Sequence, residues 1–285
     1  MSTAAPVPDR DELLRRAARA RAMLSRCEMC GLRCGADRTA GARAPCGLGA
    51  ESRTFRKYVS FAEEVELLPS YMVYLAGCNF RCSFCVQAPD CFNTRGGEPV
   101  DPAALAEECR GVVAKGARTI NLLGGEPSLH AHTILEVAAA AWPERLPLVL
   151  NSNFYMSEEV LGLFDGVIDI ALADLKFGND DCALKVAKVP GYFGLVTANL
   201  LRVARTSTLM VRYLLMPGHN HCCLHPIASW IATNLPGCRF NLMRGYVPAW
   251  QTASFDRGDL SRVATAAETH EAEAIVAAHG LITAE

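Results

Sequence analysis

From Tyr71 onward the chain alternates short β-branched or apolar runs with longer helical patterns. The runs lie near Tyr71 to Ala76, Thr119 to Leu123, Leu148 to Leu150, Val167 to Ala173, Thr208 to Leu215 and Arg239 to Met243. Helical periodicity covers about Pro102 to Ala114, His130 to Ala141, Ser157 to Phe164, Tyr192 to Ala204, Cys222 to Asn234 and Gly258 to Ala278, several of these opening on Pro, Ser or Asp. Six βα units in series predict an α/β fold, a parallel sheet curled into a partial (β/α)6 barrel. The loops after the strands then share one face, where barrel enzymes bind their ligands.

A chain of 285 residues, 51% hydrophobic and 20% charged, can bury one large domain and a small appendage. The expected division is an N-terminal helix over 1–26, a cysteine-rich metal-binding module over 27–60, and the partial barrel over 61–285. A net charge of -2 argues against a broad nucleic-acid footprint. Arg10, Arg15, Arg16, Arg19 and Arg21 are interrupted by Asp9, Asp11 and Glu12 and precede no apolar run, so the N-terminus reads as a surface helix, not a targeting peptide. No apolar stretch approaches the roughly 20 residues a membrane-spanning helix needs. Thirteen cysteines without an export signal point to a reducing, cytoplasmic setting in which clustered thiols hold metal.

The densest chemistry follows the first strand. Cys78, Cys82 and Cys85 stand in Gly77-Cys78-Asn79-Phe80-Arg81-Cys82-Ser83-Phe84-Cys85, three thiols in eight residues. Clusters that only carry electrons usually take four cysteines, one per iron, so a compact set of three suits a [4Fe-4S] cluster with one iron open to a substrate or cofactor. A zinc knot or three unpaired core thiols is the alternative.

Further along, Gly124-Gly125-Glu126-Pro127 follows the second strand; the two glycines would let backbone approach a ligand, and Glu126 offers an acceptor for an ammonium. A plain strand-to-helix turn explains the same residues. Asp174 and Lys176 lie two apart at the end of the fourth strand and share a face. Arg212 alternates with Met210 and Leu214 on the fifth, a charge at a site that should be apolar; a structural arginine paired with Asp174 is its simplest reading. Asn151 and Asn153 end the third strand, where they would bond a ribose or cap the turn toward Ser157. His219, His221, Cys222, Cys223 and His225 crowd the loop after the fifth strand, a composition for a metal, for a thiol hydrogen donor, or for a solvated loop that begins a helix. Cys27, Cys30, Cys34 and Cys46, with glycines at 31, 35, 41 and 47, supply four thiols for a structural zinc or a second, fully ligated iron-sulfur cluster.

The CxxxCxxC spacing with Phe84 before the last cysteine resembles the signature of the radical S-adenosylmethionine (SAM) superfamily. The resemblance implies that the open iron binds the amino and carboxylate groups of SAM, that the reduced cluster cleaves SAM to methionine and a 5′-deoxyadenosyl radical, and that Phe84 lies near the adenine. Gly124 to Pro127 resembles the GGEP element that holds the SAM amino group. Asp174-Leu175-Lys176 resembles the DLK element, and the Val211 to Gly218 run the arginine-bearing strand, with which glycyl-radical activating enzymes meet SAM. Together with the N-terminal cysteines and Asn241 to Ala249, these motifs resemble the pyruvate formate-lyase activating enzyme-like subfamily over nearly the whole chain. That implies hydrogen abstraction from a backbone glycine of a glycyl radical enzyme, and a flavodoxin- or ferredoxin-type electron donor. Three departures bear on the partner: Tyr246 stands where activases carry a histidine, Val86-Gln87 follows Cys85, and the extra cysteines precede the radical loop instead of following it. A tailoring enzyme acting on a peptide or small metabolite, or a metal-binding scaffold without catalysis, are the rival readings. Substrate choice would rest on the loops His219 to His225 and Gly245 to Phe255.

Overall fold

A computed structural model describes residues 6–42, 44–249 and 258–283. Its spine is a nine-stranded sheet: β1 (Arg53–Ser60), β2 (Ser70–Leu75), β3 (Glu98–Pro99), β4 (Thr119–Gly124), β5 (Leu148–Ser152), β6 (Ile170–Asp174), β7 (Thr208–Leu214), β8 (Arg239–Met243) and β9 (Ile282–Thr283). The spatial order is β3-β1-β2-β4-β5-β6-β7-β8-β9, and every pairing from β2 to β9 is parallel. Sequence order therefore equals spatial order along the six expected strands, and the sheet stays open, a partial barrel. The described α-helices are α1 (Arg10–Ala22), α2 (Pro102–Ala114), α3 (Ala131–Ala141), α4 (Glu158–Leu163), α5 (Asp180–Ala187), α6 (Tyr192–Val203), α7 (His225–Asn234) and α8 (Ala266–Ala278).

Caps set where these helices begin. Asp101 accepts from the amides of Ala103 and Ala104 ahead of α2, and Asn179 accepts from Cys182 ahead of α5. Thr265 and Glu268 form a reciprocal capping box at α8. The stretch over which a helix was expected from Cys222 begins instead as a π-helical turn, Asn220–Leu224, that feeds α7. Gly258 to Ala278 divides into a short 3-10 turn and α8.

Strand alternation sorts side chains between two cores. Tyr71, Val73 and Leu75 of β2, with Ile120 and Leu122 of β4, face the helices and join the main core. The opposite face lines the barrel interior, where Leu67, Val149, Leu172 and Met210 form one cluster and Met72, Tyr74 and Leu123 another. One step nearer the strand ends, the same face carries Asn151, Asp174, Arg212 and Asn241; Asp174 pairs in register with Arg212, and Arg212 with Asn241. The apolar floor thus gives way to a polar layer where the loops begin.

Two features lie outside that pattern. β1, in the stretch expected to belong to the cysteine-rich module, pairs antiparallel with β2 and extends the sheet. Helix α1 lies along α3, burying Leu13, Ala17 and Ala20, and Arg21 clasps Glu136 at 2.6 and 2.7 Å.

Candidate active site

The loop after β2 is held from several sides. The Gly77 amide donates to the Cys91 carbonyl at 2.6 Å, and the amides of Arg81 and Ser83 donate to Ala187 and Val186 at the end of α5. Phe80 is buried against Tyr155 and Tyr192 at ring separations of 5.6 and 5.8 Å. Arg81 donates to the carbonyls of Cys78 and Phe80 and lies 4.6 Å from the Phe92 ring centre. Three thiols are thereby presented from a braced loop.

The glycines of Gly124-Gly125 let the chain pack closely, and both also line the cavity that the three thiols line. A Cβ on Gly125 would stand 2.0 Å from the Gly77 carbonyl oxygen, and one on Gly124, at φ +111°, 2.6 Å from the Leu75 nitrogen. Absence of side chains lets this loop abut the cysteine loop, and Gly125 and Glu126 donate their amides to Leu75 and Gly77. Glu126 is fully buried. Its carboxylate accepts from the Ser128 amide at 3.0 Å, the Ser152 hydroxyl at 2.7 Å and the Asn153 amide at 2.9 Å. Burial raises its pKa against those three hydrogen bonds, which pull it down.

Opposite lies a charged array. Asp174 accepts from Lys176 Nζ at 2.6 Å and from Arg212 Nε at 2.8 Å; Arg212 also donates to Asn151 at 2.5 Å and stands 3.6 Å from both Glu63 and Glu64. The arginine–aspartate pairing considered from the sequence is therefore present. Burial pushes the Asp174 carboxyl up, but Arg212 and Lys176 outweigh it and hold it at about 2. Asn153 bonds Asn79 at 2.8 Å and the Tyr155 amide at 2.9 Å, so it braces the cysteine loop.

Cys78, Cys82, Phe84, Cys85, Gly124, Gly125, Glu126, Asn151, Asn153, Asp174, Lys176 and Arg212 all line one cavity of about 300 Å³. Cys222 and Cys223 are absent from that lining, so neither is placed as a thiol donor there, and residues 250–257 of the loop expected to shape the substrate end lie outside the described residues. Sequence reasoning passed over Glu63, Ser152 and Cys91. Glu63 comes from a loop with no periodic signal. Ser152 is flanked by the two asparagines that drew attention. Cys91 stands 3.7 Å from Cys85, and that contact leads in lowering the Cys85 thiol below its ordinary value.

The residues fit a cationic cluster and a zwitterionic, sulfonium-bearing ligand. Burial pushes Cys78 well above its ordinary value and Cys82 to about 12, so iron cations are what would draw their protons away. The lining holds three acidic groups, Glu63, Glu126 and Asp174, beside two basic ones, Lys176 and Arg212, so it offers acceptors for an ammonium and donors for a carboxylate.

The N-terminal cysteines lie apart from this cavity. Cys30 is within electrostatic reach of Cys27 and Cys46, and Cys46 within reach of Cys27 and Cys34; burial raises Cys30 to about 12. Arg38, almost fully buried, donates to the carbonyls of Gly49 and Leu129, and it lowers Cys46 against the rise that burial imposes.

Fold and site define a radical SAM protein. The family model of the radical SAM superfamily matches residues 72–231, and the chain belongs to that superfamily. Its cofactors are accordingly a [4Fe-4S] cluster and SAM. An uncharacterized protein of Methanocaldococcus jannaschii is 30% identical over 260 residues, 89% of this chain and 75% of the relative. A 7-carboxy-7-deazaguanine synthase of Methanothermobacter thermautotrophicus is 31% identical over 104 residues, 36% of this chain and 41% of that protein. Among solved structures, Streptococcus suis SuiB bound to S-adenosylmethionine superposes with a TM-score of 0.52 at 12% identity, over 70% of this chain but only 44% of SuiB, a likeness of fold. No helix among the described residues is long and apolar enough to cross a membrane.

Proposed function

We propose that this protein uses Cys78, Cys82 and Cys85 to hold the [4Fe-4S] cluster, and Glu126, Asp174, Lys176 and Arg212 to position SAM, in order to abstract hydrogen from a backbone glycine of a glycyl radical enzyme. The observation that carries this reading is the single cavity that joins the three thiols to the charged array. When bound, the cluster and SAM together supply a hydrogen-abstracting radical. The chain supplies geometry and exclusion of water. Glu126, fixed by three donors, keeps a lone pair for an ammonium. Lys176 Nζ, bonded to Asp174, has protons left for a carboxylate. Arg212 holds Asp174 ionised and in place. Phe84, 5.9 Å from Tyr246 by ring centres, offers an apolar wall for an adenine. A flavodoxin- or ferredoxin-type protein is the reductant this chemistry calls for, and Cys27, Cys30, Cys34 and Cys46 serve as a second site for zinc or an iron-sulfur cluster.

A second reading, a tailoring enzyme for a peptide or small metabolite, is favoured by Tyr246. Its hydroxyl is spent on the Leu260 carbonyl at 2.7 Å, so the side chain standing where activases carry a histidine is engaged within the chain.

Anaerobically reconstituted, dithionite-reduced protein should release 5′-deoxyadenosine from SAM, and Cys78→Ala should lower that release at least a hundredfold. Equal release by the two would remove the cluster assignment. Deuterium passing into 5′-deoxyadenosine from a glycine-labelled glycyl radical enzyme supports the activase reading; its absence, with deuterium arriving from a labelled peptide or metabolite, replaces it by the second.

A further inference from the structure

Beyond the cavity, Cys182 joins three side chains of the His219 to His225 loop in a convergence that the sequence does not announce. Cys182 lies on α5, while His219, Cys222 and Cys223 flank and occupy the π-helical turn after β7. Among the described residues, this is the set of metal-ligating side chains whose ligand atoms all lie within 4.8 Å of one another. We propose that Cys182, His219, Cys222 and Cys223 form a tetrahedral site for one zinc-class divalent cation, which staples the loop after β6 to the loop after β7.

Four of the six ligand-atom separations match the edges of a tetrahedron around a single ion, and the other two lie within 4.8 Å. A Zn–S bond of about 2.3 Å makes the sulfur–sulfur edge of a tetrahedron about 3.8 Å, and a Zn–N bond of about 2.0 Å shortens a mixed edge to about 3.5 Å. Sγ of Cys222 stands 3.7 Å from that of Cys182 and 3.9 Å from that of Cys223. His219 Nδ1 stands 3.4 Å from Cys222 Sγ and 3.5 Å from Cys223 Sγ.

The backbone is shaped for the same purpose. The amides of Cys223 and Leu224 both donate to the His219 carbonyl, at 3.0 and 3.2 Å, so the turn widens and sets His219, Cys222 and Cys223 on one side. Cys182 reaches them because Asn179, the cap of α5, donates to the Cys222 carbonyl at 2.6 Å. Gly178 permits the approach, since a Cβ there would meet the Cys223 carbonyl oxygen at 2.4 Å. Asn220 secures the other side of the turn on α8, donating to Glu268 and Glu271. Four protein ligands leave no open position, which marks a structural ion. Binding exchanges three thiol protons for the dication and leaves the imidazole neutral. The loop so fixed carries Asp174 and Lys176 at its start, so the ion steadies the charged array without touching the cavity. This assignment stands whether or not the hydrogen donor is a glycine.

The test is metal content of the anaerobically purified full chain, with zinc and iron measured together, followed by cobalt(II) exchange. The wild type should carry one zinc more per chain than Cys182→Ser/Cys222→Ser at equal iron, and its cobalt form should show the visible bands of tetrahedral thiolate coordination. Cys34→Ser, confined to the N-terminal module, should keep the bands of this site. His219→Cys should retain the ion with a shifted spectrum, and it decides the matter if the double variant fails to fold. Equal zinc in wild type and double variant, an unshifted His219→Cys spectrum, or a Cys182–Cys222 disulfide in the purified wild type would overturn the proposal.

Discussion

Arg212 shows how one side chain can be both strange in its strand and necessary to its neighbours. Alternation along β7 puts it on the barrel face, yet Asp174, Asn151, Glu63 and Glu64 surround it. Removing the guanidinium leaves three carboxylates facing each other in a buried place. Arg212→Met should therefore cost roughly 3–5 kcal/mol, the range found when one partner of a buried ion pair is deleted. The direction of the pH effect follows from the same charges. In the wild type Asp174 is held at about 2, so its contribution is fully present above its ordinary 3.8 and lost as pH falls through 2. In the variant the burial of Asp174 and Glu63 acts unopposed by Arg212, these two take up protons more readily, and the penalty shrinks on going from pH 7 to pH 5. Urea denaturation at both values measures it; a penalty below 1 kcal/mol, or one unchanged with pH, would contradict this account.

At the scale of elements, the two glycine-bearing segments Gly124-Gly125 and α2 make opposite demands. Gly125 faces the Gly77 carbonyl with no room for a methyl, and the neighbour it meets is backbone that cannot swing aside. Gly125→Ala should destabilise by about 1–3 kcal/mol, the usual cost of overpacking, and should lower iron incorporation because the cysteine loop must shift. Gly111 lies inside α2 with nothing within 4 Å of its would-be Cβ. Gly111→Ala should stabilise by about 0.5–1 kcal/mol through the helical backbone alone. Chemical denaturation with parallel iron analysis reads both. A neutral Gly125→Ala would show that the two loops do not need their close approach.

For the molecule as a whole, the joint between the N-terminal half and the barrel is a buried network around Ser52. His130 Nε2 donates to the Ala76 carbonyl at 2.8 Å, next to the cysteine loop, and its Nδ1 accepts from the Ser52 hydroxyl at 2.8 Å. His132 bonds the Ala50 carbonyl at 3.1 Å, and Thr133 meets Ser52 at 2.7 Å. Burial, with Arg38 nearby, lowers both histidines from 6.5 to about 3. The folded protein thus refuses protons that the unfolded chain binds below pH 6.5. Stability is unaffected above 6.5 and is lost as pH falls from 6.5 toward 3, by up to about 1.4 kcal/mol per pH unit for each histidine. The double variant His130→Gln/His132→Gln should lose stability less steeply between pH 6.5 and 5 than the wild type. Parallel slopes would mean that other groups carry the acid sensitivity.

Much of the fold is legible because its signals are local. Each parallel strand is buried on both faces and so appears as a short apolar run, as Val149 and Leu150 or Ala171 and Leu172 do, and each connection must be long enough for a helix. β1, β3, β9 and α5 lack that contrast: β1 reads Arg53-Thr54-Phe55-Arg56-Lys57-Tyr58, half charged because it lies near the sheet's edge, and β3 and β9 hold two residues each. The cavity-lining residues are legible for a related reason, since ligand-facing groups cluster at strand ends. Glu63 and Cys91 are not, because their loops carry no period that would aim them. By itself, then, the sequence determined the order of the βα units and the three-thiol loop, both of which follow from residues adjacent in the chain. Only the tertiary structure decided that Arg212 also meets Asn151, Glu63 and Glu64, that the glycines of Gly124-Gly125 serve the neighbouring loop as well, and that Cys182 meets His219, Cys222 and Cys223. Those pairings depend on distances across separate elements, which chain connectivity leaves free until the sheet curls.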